Sequence, residues 1–487
     1  MAVPSTFPFG SATALVRALR AGRVSSQELL QAYLDRVDCF NPALNAIIAD
    51  DRKAARKQAR AVDKALAGGK PLGPLHGLPM TVKESFDLRG HATVWGMPAL
   101  VDNLATHDAL AVQRLKAAGA VVFGKTNVPL NLADFQSYNA VHGTTNNPWD
   151  LARAPGGSSG GSAAALAAGL TGLEFGSDIG GSIRNPAAYC GVYGHKPTWC
   201  LVPKRGQSPS RLPGAEMDLS VVGPMARCAE DLALALRVTM GPDQLTARGL
   251  QVRLPAPPRV LKGLRIAVWL DAPMAPVDDS VKAPIEAAAR ALARAGARVD
   301  FKARPDFDAT QAHGIYSSLL MATMGARRPD YDALLRQRAS LPDSDQSPAA
   351  VQLRLSTASF KQWFDAHQQR ERLRWAWHDF FQRVDLLLAP VTTTAAFVHD
   401  HSEPMGARTL RVNGIESPYF GQLFWAGLAT ASYLPATAAP VGMTPEGLPV
   451  GLQIIAPEMS DRSTIWLAAQ LADLVGGFVP PPAFAGA

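Results

Sequence analysis

Two glycine-rich loops that each carry serines are the places where this sequence could do chemistry. The first reads Gly-Gly-Ser-Ser-Gly-Gly-Ser at 156–162 and contains Ser158, and the second reads Gly-Ser-Asp-Ile-Gly-Gly-Ser at 176–182 and ends at Ser182. A small-residue helix and a short strand are predicted between them, over 163–175. Dense Gly and Ser are typical of flexible linkers, but both loops lie between apolar segments. We therefore expect buried loops that bring Ser158 and Ser182 side by side.

A lysine that could serve these serines as a base follows an apolar strand predicted over 78–82. Lys83 is the next residue. A buried lysine loses its hydration, which favours the neutral amine. A neutral amine can take a proton from a serine hydroxyl, which is the principle of serine–lysine catalysis. Lys83, Ser158 and Ser182 therefore suggest a serine hydrolase, and the alternative for Lys83 is an ordinary lysine at the end of a strand.

Two other uses of a glycine-rich loop fit the sequence less well. A phosphate-binding loop needs Lys and then Ser or Thr after its last glycine, whereas Gly161 is followed by Ser-Ala-Ala. A conventional hydrolase elbow is formally matched around Ser159, but that elbow should follow an apolar strand, and residues 147–155 are not one. Its catalytic histidine also has no evident candidate, because neither His195 nor His399 has a distinguishing context.

Composition narrows the class of protein. The chain has 487 residues, of which 47% are hydrophobic and 18% charged, as in globular proteins with a large core. The net charge is +7, but no Lys/Arg run or basic stripe is present, so we expect no nucleic-acid partner. The sequence contains no run of about 20 apolar residues, so we expect no membrane span. Residues 1–10 lack the basic and apolar regions of a secretory signal, which predicts a cytoplasmic protein.

The cysteines and histidines give no sign of a metal site. Cys39, Cys190, Cys200 and Cys228 form no Cys-x-x-Cys pair, and no histidine cluster has zinc spacing. We expect four free thiols and no metal or other cofactor.

Hydrophobic periodicity predicts an α/β fold. Helices are predicted over 12–21, from a capping box at Ser25 and Glu28, and over 52–67. From residue 78 onwards, apolar strands alternate with helices, which is typical of α/β proteins. The predicted elements of this part are strands over 78–82 and 121–123, a helix over 109–118, a strand–helix–strand unit over 264–301, a mainly helical region over 305–380, a strand over 384–389, and paired strands over 436–441 and 450–455.

Several segments together resemble the amidase signature family. They are the two serine loops, extended to Arg184, together with the lysine segment 77–84, Gly-Lys-Thr-Asn at 124–127, residues 186–198, and Gly-Leu-Pro-Val-Gly-Leu-Gln at 447–453. The matches cover roughly 20–230 and 430–460, whereas 240–430 matches loosely. The resemblance implies one large domain over 1–487, with a central mixed, twisted β-sheet covered by helices on both faces. Within it we expect N-terminal helices over 1–69, a catalytic core at about 70–240 and 430–470, and a variable substrate segment at about 240–430.

The resemblance also implies a role for each reactive residue. Ser182 corresponds to the nucleophile that attacks an amide carbonyl and becomes acylated. Ser158 corresponds to a bridging serine on a cis peptide bond, and Lys83 to the base that receives the proton through it. The N–H groups of Ile179, Gly180, Gly181 and Ser182 would form the oxyanion hole. Ser159, Asp178 and Arg184 would support the two loops; a helix N-cap is the alternative for Asp178.

The substrate is the least defined part of this prediction. We expect a small hydrophobic or aryl amide that is cleaved to a carboxylic acid and an amine or ammonia, with esters and carbamates as further substrates. The pocket candidates come from the variable segment and one loop: Tyr138, Ile315, Tyr316, Leu319, Met321 and the region 363–381. Open alternatives are the glutaminase subunit of a tRNA-dependent amidotransferase and a binding protein without catalysis. The sequence also leaves open whether the chain forms a homodimer.

Overall fold

Helices and strands alternate along most of the chain in the computed structural model, which describes residues 7–70, 73–210 and 214–485. The strands are β1 Ile47–Asp50, β2 Pro79–Lys83, β3 Val121–Thr126, β4 Tyr138–Asn139, β5 Gly143–Thr144, β6 Glu174–Asp178, β7 Tyr193–Lys196, β8 Val221–Ala226, β9 Arg265–Val268, β10 Arg298–Asp300, β11 Leu386–Pro390, β12 Thr409–Val412, β13 Ile415–Pro418, β14 Ala436–Met443 and β15 Pro449–Ile455.

The helices surround these strands. They are α1 Ala12–Arg20, α2 Ser26–Leu44, α3 Arg52–Ala67, α4 Leu110–Ala117, α5 Gly160–Ala167, α6 Arg184–Cys190, α7 Ala229–Thr239, α8 Asp279–Arg294, α9 Ala309–Gly325, α10 Tyr331–Ala339, α11 Pro348–Ser356, α12 Phe360–Arg383, α13 Leu423–Thr430, α14 Asp461–Val475 and α15 Pro482–Ala485. Short 3-10 helices lie at Phe7–Phe9, Pro98–Leu100, Leu130–Leu132, Met405–Ala407 and Tyr419–Gln422.

The main sheet has eight strands in the order β10-β9-β11-β15-β14-β7-β8-β6. Strands β10, β9 and β11 run parallel to one another, whereas the remaining pairs are antiparallel. Helices α6, α8 and α14 pack against its central strands β14 and β15. The predicted α/β fold with a mixed central sheet covered by helices is therefore confirmed.

A smaller sheet, β1-β3-β2, carries Lys83 and joins the main sheet beside the serine loops. The backbone N–H of Thr81 donates to Thr171 Oγ1 at 3.0 Å, and the Thr81 hydroxyl donates to Glu174. Burial raises the pKa of Glu174 to about 7, although its hydrogen bond with Thr81 opposes the rise. These buried contacts hold β2 against β6, so the ends of two strands from different sheets meet.

Local sequence signals account for most of the element boundaries. Ser25 and Glu28 form the predicted capping box at the start of α2, and α3 has the predicted bounds. The strand–helix–strand unit is present as β9, α8 and β10, and β14 pairs with β15 as predicted. Helix α5 begins at Gly160, earlier than the predicted helix, because the glycines of the first loop already belong to it.

Several elements were not predicted: the helices α6, α7, α13, α14 and α15, the strands β1, β4, β5, β7 and β8, and the hairpin of β12 and β13. In α13, Leu-Phe-Trp-Ala-Gly-Leu-Ala-Thr, all residues after Leu423 are buried. A segment that is buried all round has no amphipathic period, so its sequence cannot be distinguished from that of a buried strand. Among the described residues, no helix is both long and apolar enough to cross a membrane.

Candidate active site

Lys83 lies at the end of β2 with its amine directed at the first serine loop. The side chain is buried, and Nζ lies 2.6 Å from Ser158 Oγ and 3.0 Å from Ser177 Oγ. Burial lowers the pKa of Lys83 to about 7, even though the carboxylates of Asp178 and Glu84 favour its charged form. A substantial fraction of this amine is therefore neutral near pH 7, as the sequence analysis expected of a buried lysine.

The two serine loops are joined by direct hydrogen bonds. The N–H of Ser159 donates to the carbonyl of Ser182 at 3.1 Å, and its hydroxyl donates to the carbonyl of Ser177 at 3.4 Å. The peptide bond between Gly157 and Ser158 is cis, as the family resemblance implies. A Cβ at Gly157 would lie 2.3 Å from the carbonyl oxygen of Asp134, so only glycine fits there. Ser158 and Ser182 line the same cleft.

A buried ion pair supports the second loop. The Asp178 carboxylate accepts the N–H groups of Gly181 at 2.9 Å and Ile183 at 3.1 Å, and it contacts Arg184 at 2.9 Å. Arg184 also donates to Gln453 Oε1 at 2.7 Å and to Thr430 Oγ1 at 2.8 Å, on β15 and α13. Burial alone would raise the pKa of Asp178, but Arg184 outweighs it and holds the pKa at about 2. This geometry fits the predicted loop-supporting role of Asp178 and Arg184.

The backbone N–H groups of the second loop are not equivalent. The N–H of Gly181, which has φ +100°, is already donated to Asp178. Those of Ile179, Gly180 and Ser182 donate no hydrogen bond to another described residue. The N–H of Gly181 thus helps to fix the shape of the loop, and the oxyanion role of the four N–H groups stays a prediction.

The structure places four of the predicted pocket residues, Tyr138, Ile315, Tyr316 and Leu319, outside the lining of the cleft. Ile315 and Leu319 of α9 are buried in a core cluster with Tyr433, and Tyr138 stacks on His401 with ring centroids 3.7 Å apart. Tyr316 is fully buried, and its hydroxyl donates to the carbonyl of Ile179 at 2.8 Å. The hydrophobic spacing of α9 reflects core packing, and Tyr316 braces the loop of Ser182 from behind.

The cleft at Ser182 adjoins a cavity of about 670 Å³. Four residues line both the cleft and the cavity: Trp95, Gln207, Met217 and Arg327. Of the predicted variable-segment candidates, Trp363 lies on the cavity wall, together with Phe360. Met321 is only partly buried and packs on the core cluster of α9, and Trp377, Phe380 and Phe381 of the region 363–381 belong to the main core.

Three residues at this site were missed in the sequence analysis. Ser177 contacts Lys83, and its place inside the second glycine-rich loop could have marked it. Trp95 lies in a loop held by Glu84, whose carboxylate accepts the Trp95 N–H at 2.8 Å. Arg327 follows α9 in the loosely matching segment. Neither Trp95 nor Arg327 stands in a local pattern that would have distinguished it.

Metal-ligating side chains do not cluster in the described parts of the chain. Within residues 7–70, 73–210 and 214–485, no three His, Cys, Asp or Glu side chains converge to hold a metal ion. All four cysteines are free. His195, one of the histidines considered for a conventional triad, is buried against Thr437 and Asp461, away from the cleft.

Comparison with known proteins shows the family to which this chain belongs. A family model described as amidase matches residues 28–465. The chain belongs to the amidase signature family. A solved bacterial aryl acylamidase of this family has a TM-score of 0.82 and 26% identity, with 98% of this chain and 99% of that chain covered. The amidase described here is therefore a hydrolase that acts on carbon–nitrogen bonds of amides.

Two curated relatives show the range of the family. A glutamyl-tRNA(Gln) amidotransferase subunit of Salinispora tropica is 34% identical, over 97% of this amidase and 98% of that protein. The indoleacetamide hydrolase of Bradyrhizobium diazoefficiens is 33% identical, over 96% of this amidase and 86% of that protein. Because several of the relatives are amidotransferase subunits, the comparisons favour the glutaminase alternative over the predicted small aryl amide.

We expect the activity of the amidase to depend on pH through Lys83. The predicted base is the neutral amine of Lys83, and burial places the pKa of this amine at about 7. The ratio kcat/KM should rise with pH through this value and fall about tenfold per pH unit well below it. A pH profile of the wild-type enzyme measures this. Lys83→Met should lower kcat/KM by about 10²- to 10⁴-fold, and an unchanged acidic limb in its residual activity would exclude Lys83 as the titrating group.

We expect the hydroxyl of Tyr316 to matter for turnover. Tyr316→Phe removes the hydrogen bond to Ile179 and loosens the loop of Ser182, which should lower kcat by about 3- to 10-fold with little change in KM. Tyr33→Phe is the matched control, because Tyr33 is also buried and its hydroxyl donates to the carbonyl of Pro8 at 3.3 Å in the N-terminal layer. Equal effects of the two variants on kcat would contradict a specific role of Tyr316.

Proposed function

We propose that this amidase hydrolyses its substrate through an acyl-enzyme on Ser182, with Ser158 and Lys83 as the proton path. The observation that carries the proposal is the 2.6 Å contact between Lys83 Nζ and Ser158 Oγ at the cleft that Ser182 lines. A buried amine with a pKa of about 7, next to a serine, is poised to accept a proton. These groups also argue against a binding protein without catalysis.

The reaction begins when neutral Lys83 takes the proton of Ser158 while Ser158 takes that of Ser182. Ser182 Oγ then attacks the amide carbonyl carbon, and the carbonyl oxygen becomes an oxyanion. The proton returns from Lys83 through Ser158 to the leaving nitrogen, the C–N bond breaks, and the amine departs. Water attacks the resulting ester by the same proton path, which releases the carboxylic acid and restores Ser182.

The oxyanion is stabilised by backbone N–H groups of the second loop. Ile179, Gly180 and Ser182 supply them, since their N–H groups have no other acceptor among the described residues. Removal of one such donor typically costs about 2.7–4 kcal/mol of transition-state stabilisation. The Asp178–Arg184 pair and Tyr316 hold these donors in place before the substrate binds, so the loop need not reorganise during the reaction.

The cavity walls support an amide with an aromatic or other apolar group. Trp95, Phe360 and Trp363 line the cavity of about 670 Å³, which lies within the usual range for small-molecule sites. We infer that such a group packs against these rings while the reacting carbonyl reaches Ser182. Esters and carbamates undergo the same acyl transfer and belong to the same proposal.

Glutamine hydrolysis within a multi-subunit amidotransferase is the second candidate. The observation that favours it is the 34% identity to the Salinispora tropica protein over nearly the whole length of both chains. In that case glutamine would be the amide and ammonia the leaving group, with the same residues doing the chemistry. The two candidates differ in substrate and in their need for a partner protein.

We expect Ser182→Ala to abolish hydrolysis. Loss of the nucleophile should lower kcat by at least about 10³-fold for every amide tested. Steady-state assays measure this, and mass spectrometry of the wild-type enzyme quenched during turnover should find the acyl group on Ser182. Ser208→Ala is the control, because Ser208 lines the larger cavity but is not among the residues that line the cleft of Ser182. An acyl adduct on another residue would contradict the assignment.

The purified chain alone distinguishes the two substrate candidates. We expect it to release 4-nitroaniline from at least one member of a panel of 4-nitroanilides, measured by absorbance, without any partner. Ammonia release from glutamine is measured in parallel. The aryl amide candidate would be replaced by the glutaminase candidate under two results together: no 4-nitroanilide is hydrolysed, and glutamine is hydrolysed only when amidotransferase partner subunits are added.

A further inference from the structure

Arg327 brings a positive charge to the cleft of Ser182. It lines both the cleft and the larger cavity, and its guanidinium carbon lies 4.3 Å from the centre of the Trp95 ring. Within the part of the chain that the structure describes, no carboxylate forms an ion pair with it. Burial lowers the pKa of Arg327 to about 10, so the side chain is charged at neutral pH.

The cavity wall carries a second cationic side chain, Lys204, which is buried, whereas Arg327 is only partly buried. Lys204 is 8% exposed and lines the same cavity, and its Nζ donates to Ser220 Oγ at 2.7 Å. Burial lowers the pKa of Lys204 to about 7, and the charge of Arg327 lowers it further, while Glu216 opposes the shift. Lys204 and Arg327 thus line the same cavity, and neither forms an ion pair with a carboxylate among the described residues.

The other charged groups on the cavity wall are balanced or solvated. Arg205 pairs with Asp243 at 2.7 Å, Asp218 with Arg370 at 2.7 Å and Asp108 with Lys116 at 2.9 Å. Glu216 is exposed at the rim, and Asp87 accepts the Thr93 hydroxyl at 2.7 Å. Burial raises the pKa of Asp87, which works against its negative charge. Among the described residues that line the cleft at Ser182, Arg327 is the one with a charged side chain.

This arrangement is costly for an enzyme of neutral substrates. A neutral amide that fills the cavity would displace water from Arg327 and leave a buried charge uncompensated. A carboxylate would instead receive two N–H groups from the planar guanidinium, which is the strongest pairing that arginine makes. Trp95 is held by its own hydrogen bonds, with its N–H 2.8 Å from Glu84 and its indole N–H 3.3 Å from the carbonyl of Ser85, so the ring on which Arg327 lies is fixed.

We propose that the substrate is an amide that also carries a carboxylate, and that Arg327, supported by Lys204, binds this carboxylate beside the reacting carbonyl. The proposal rests on the proposed hydrolysis at Ser182 and narrows its substrate. Glutamine and aryl amides with an acid group meet the requirement, whereas simple neutral anilides do not. Arg327 is thus a specificity-determining residue.

The proposal is tested by binding, so that it does not depend on turnover. In Ser182→Ala, calorimetry compares two pairs of amides of matched shape: 4-acetamidobenzoate with 4-isopropylacetanilide, and glutaryl 4-nitroanilide with 5-methylhexanoyl 4-nitroanilide. The pairs place the carboxylate on either side of the amide. We expect the acidic member of at least one pair to bind at least about tenfold more tightly, as a charge-assisted pair in a buried site allows. Equal affinities within both pairs would overturn the proposal.

Adjacent arginines provide a matched control. Arg328 is exposed and pairs with Asp330 at 2.6 Å, so Arg328→Met should leave the preference for the acidic amide unchanged. Arg327→Met should reduce that preference to within about threefold of unity, and Arg327→Lys should retain part of it, because lysine keeps the charge and loses the planar fork. A preference that survives Arg327→Met would overturn the proposal.

Stability and turnover distinguish a substrate-binding role of Arg327 from a structural one. Because the guanidinium has no carboxylate partner among the described residues, Arg327→Met should leave Tm unchanged or raise it; a large fall in Tm would show a structural role and contradict the proposal.

If the wild-type enzyme binds acidic amides selectively but hydrolyses none of them, the proposed hydrolysis fails while the carboxylate site stands. If it hydrolyses neutral amides as efficiently as acidic ones, the carboxylate site fails alone.

Discussion

The burial of one amine beside a serine is the constraint on which the rest of the structure depends. A lysine in water holds its proton at neutral pH and cannot accept another from a serine. Full burial of Lys83 removes its hydration and lowers its pKa to about 7, but only while the surrounding core excludes water. The contact at 2.6 Å with Ser158 then places the amine where its basicity is useful.

The fold around the Lys83–Ser158 contact brings together three chain segments, those of Lys83, Ser158 and Ser182, in a buried environment that excludes water. Lys83 ends a strand of the small sheet, and Ser158 and Ser182 lie in loops on either side of α5 and β6. The contacts of Thr81 with Thr171 and Glu174 fasten the two sheets, and the Asp178–Arg184 pair ties the second loop to β15 and α13. Removal of either partner of that pair would leave a buried charge without compensation, which typically costs about 3–5 kcal/mol.

The features that could be predicted from the sequence are those that depend on residues close together along the chain. The capping box at Ser25, the helix over 52–67 and the glycine loops depend on neighbouring residues, so their sequence predicts them well. The oxyanion donors and the pocket depend on contacts between distant segments. The N–H of Gly181, a predicted oxyanion donor, is donated to Asp178, and the hydroxyl of Tyr316, a predicted pocket residue, is donated to the carbonyl of Ile179. Neither contact can be read from neighbouring residues in the sequence. Arg327 and Trp95, which are far apart in sequence, meet only in the folded chain.

The central claim is that the Lys83 amine is largely neutral near pH 7 in the folded enzyme. It is tested most directly by nuclear magnetic resonance of the enzyme labelled at the lysine side chains, with the signal of Lys83 assigned from its absence in Lys83→Met. The chemical shift of this amine is followed across pH. A midpoint near 7, in agreement with the burial of the side chain, is the predicted result. A midpoint near the ordinary lysine value of about 10.4 would contradict the account, because the amine would then be protonated whenever the serines had to lose a proton.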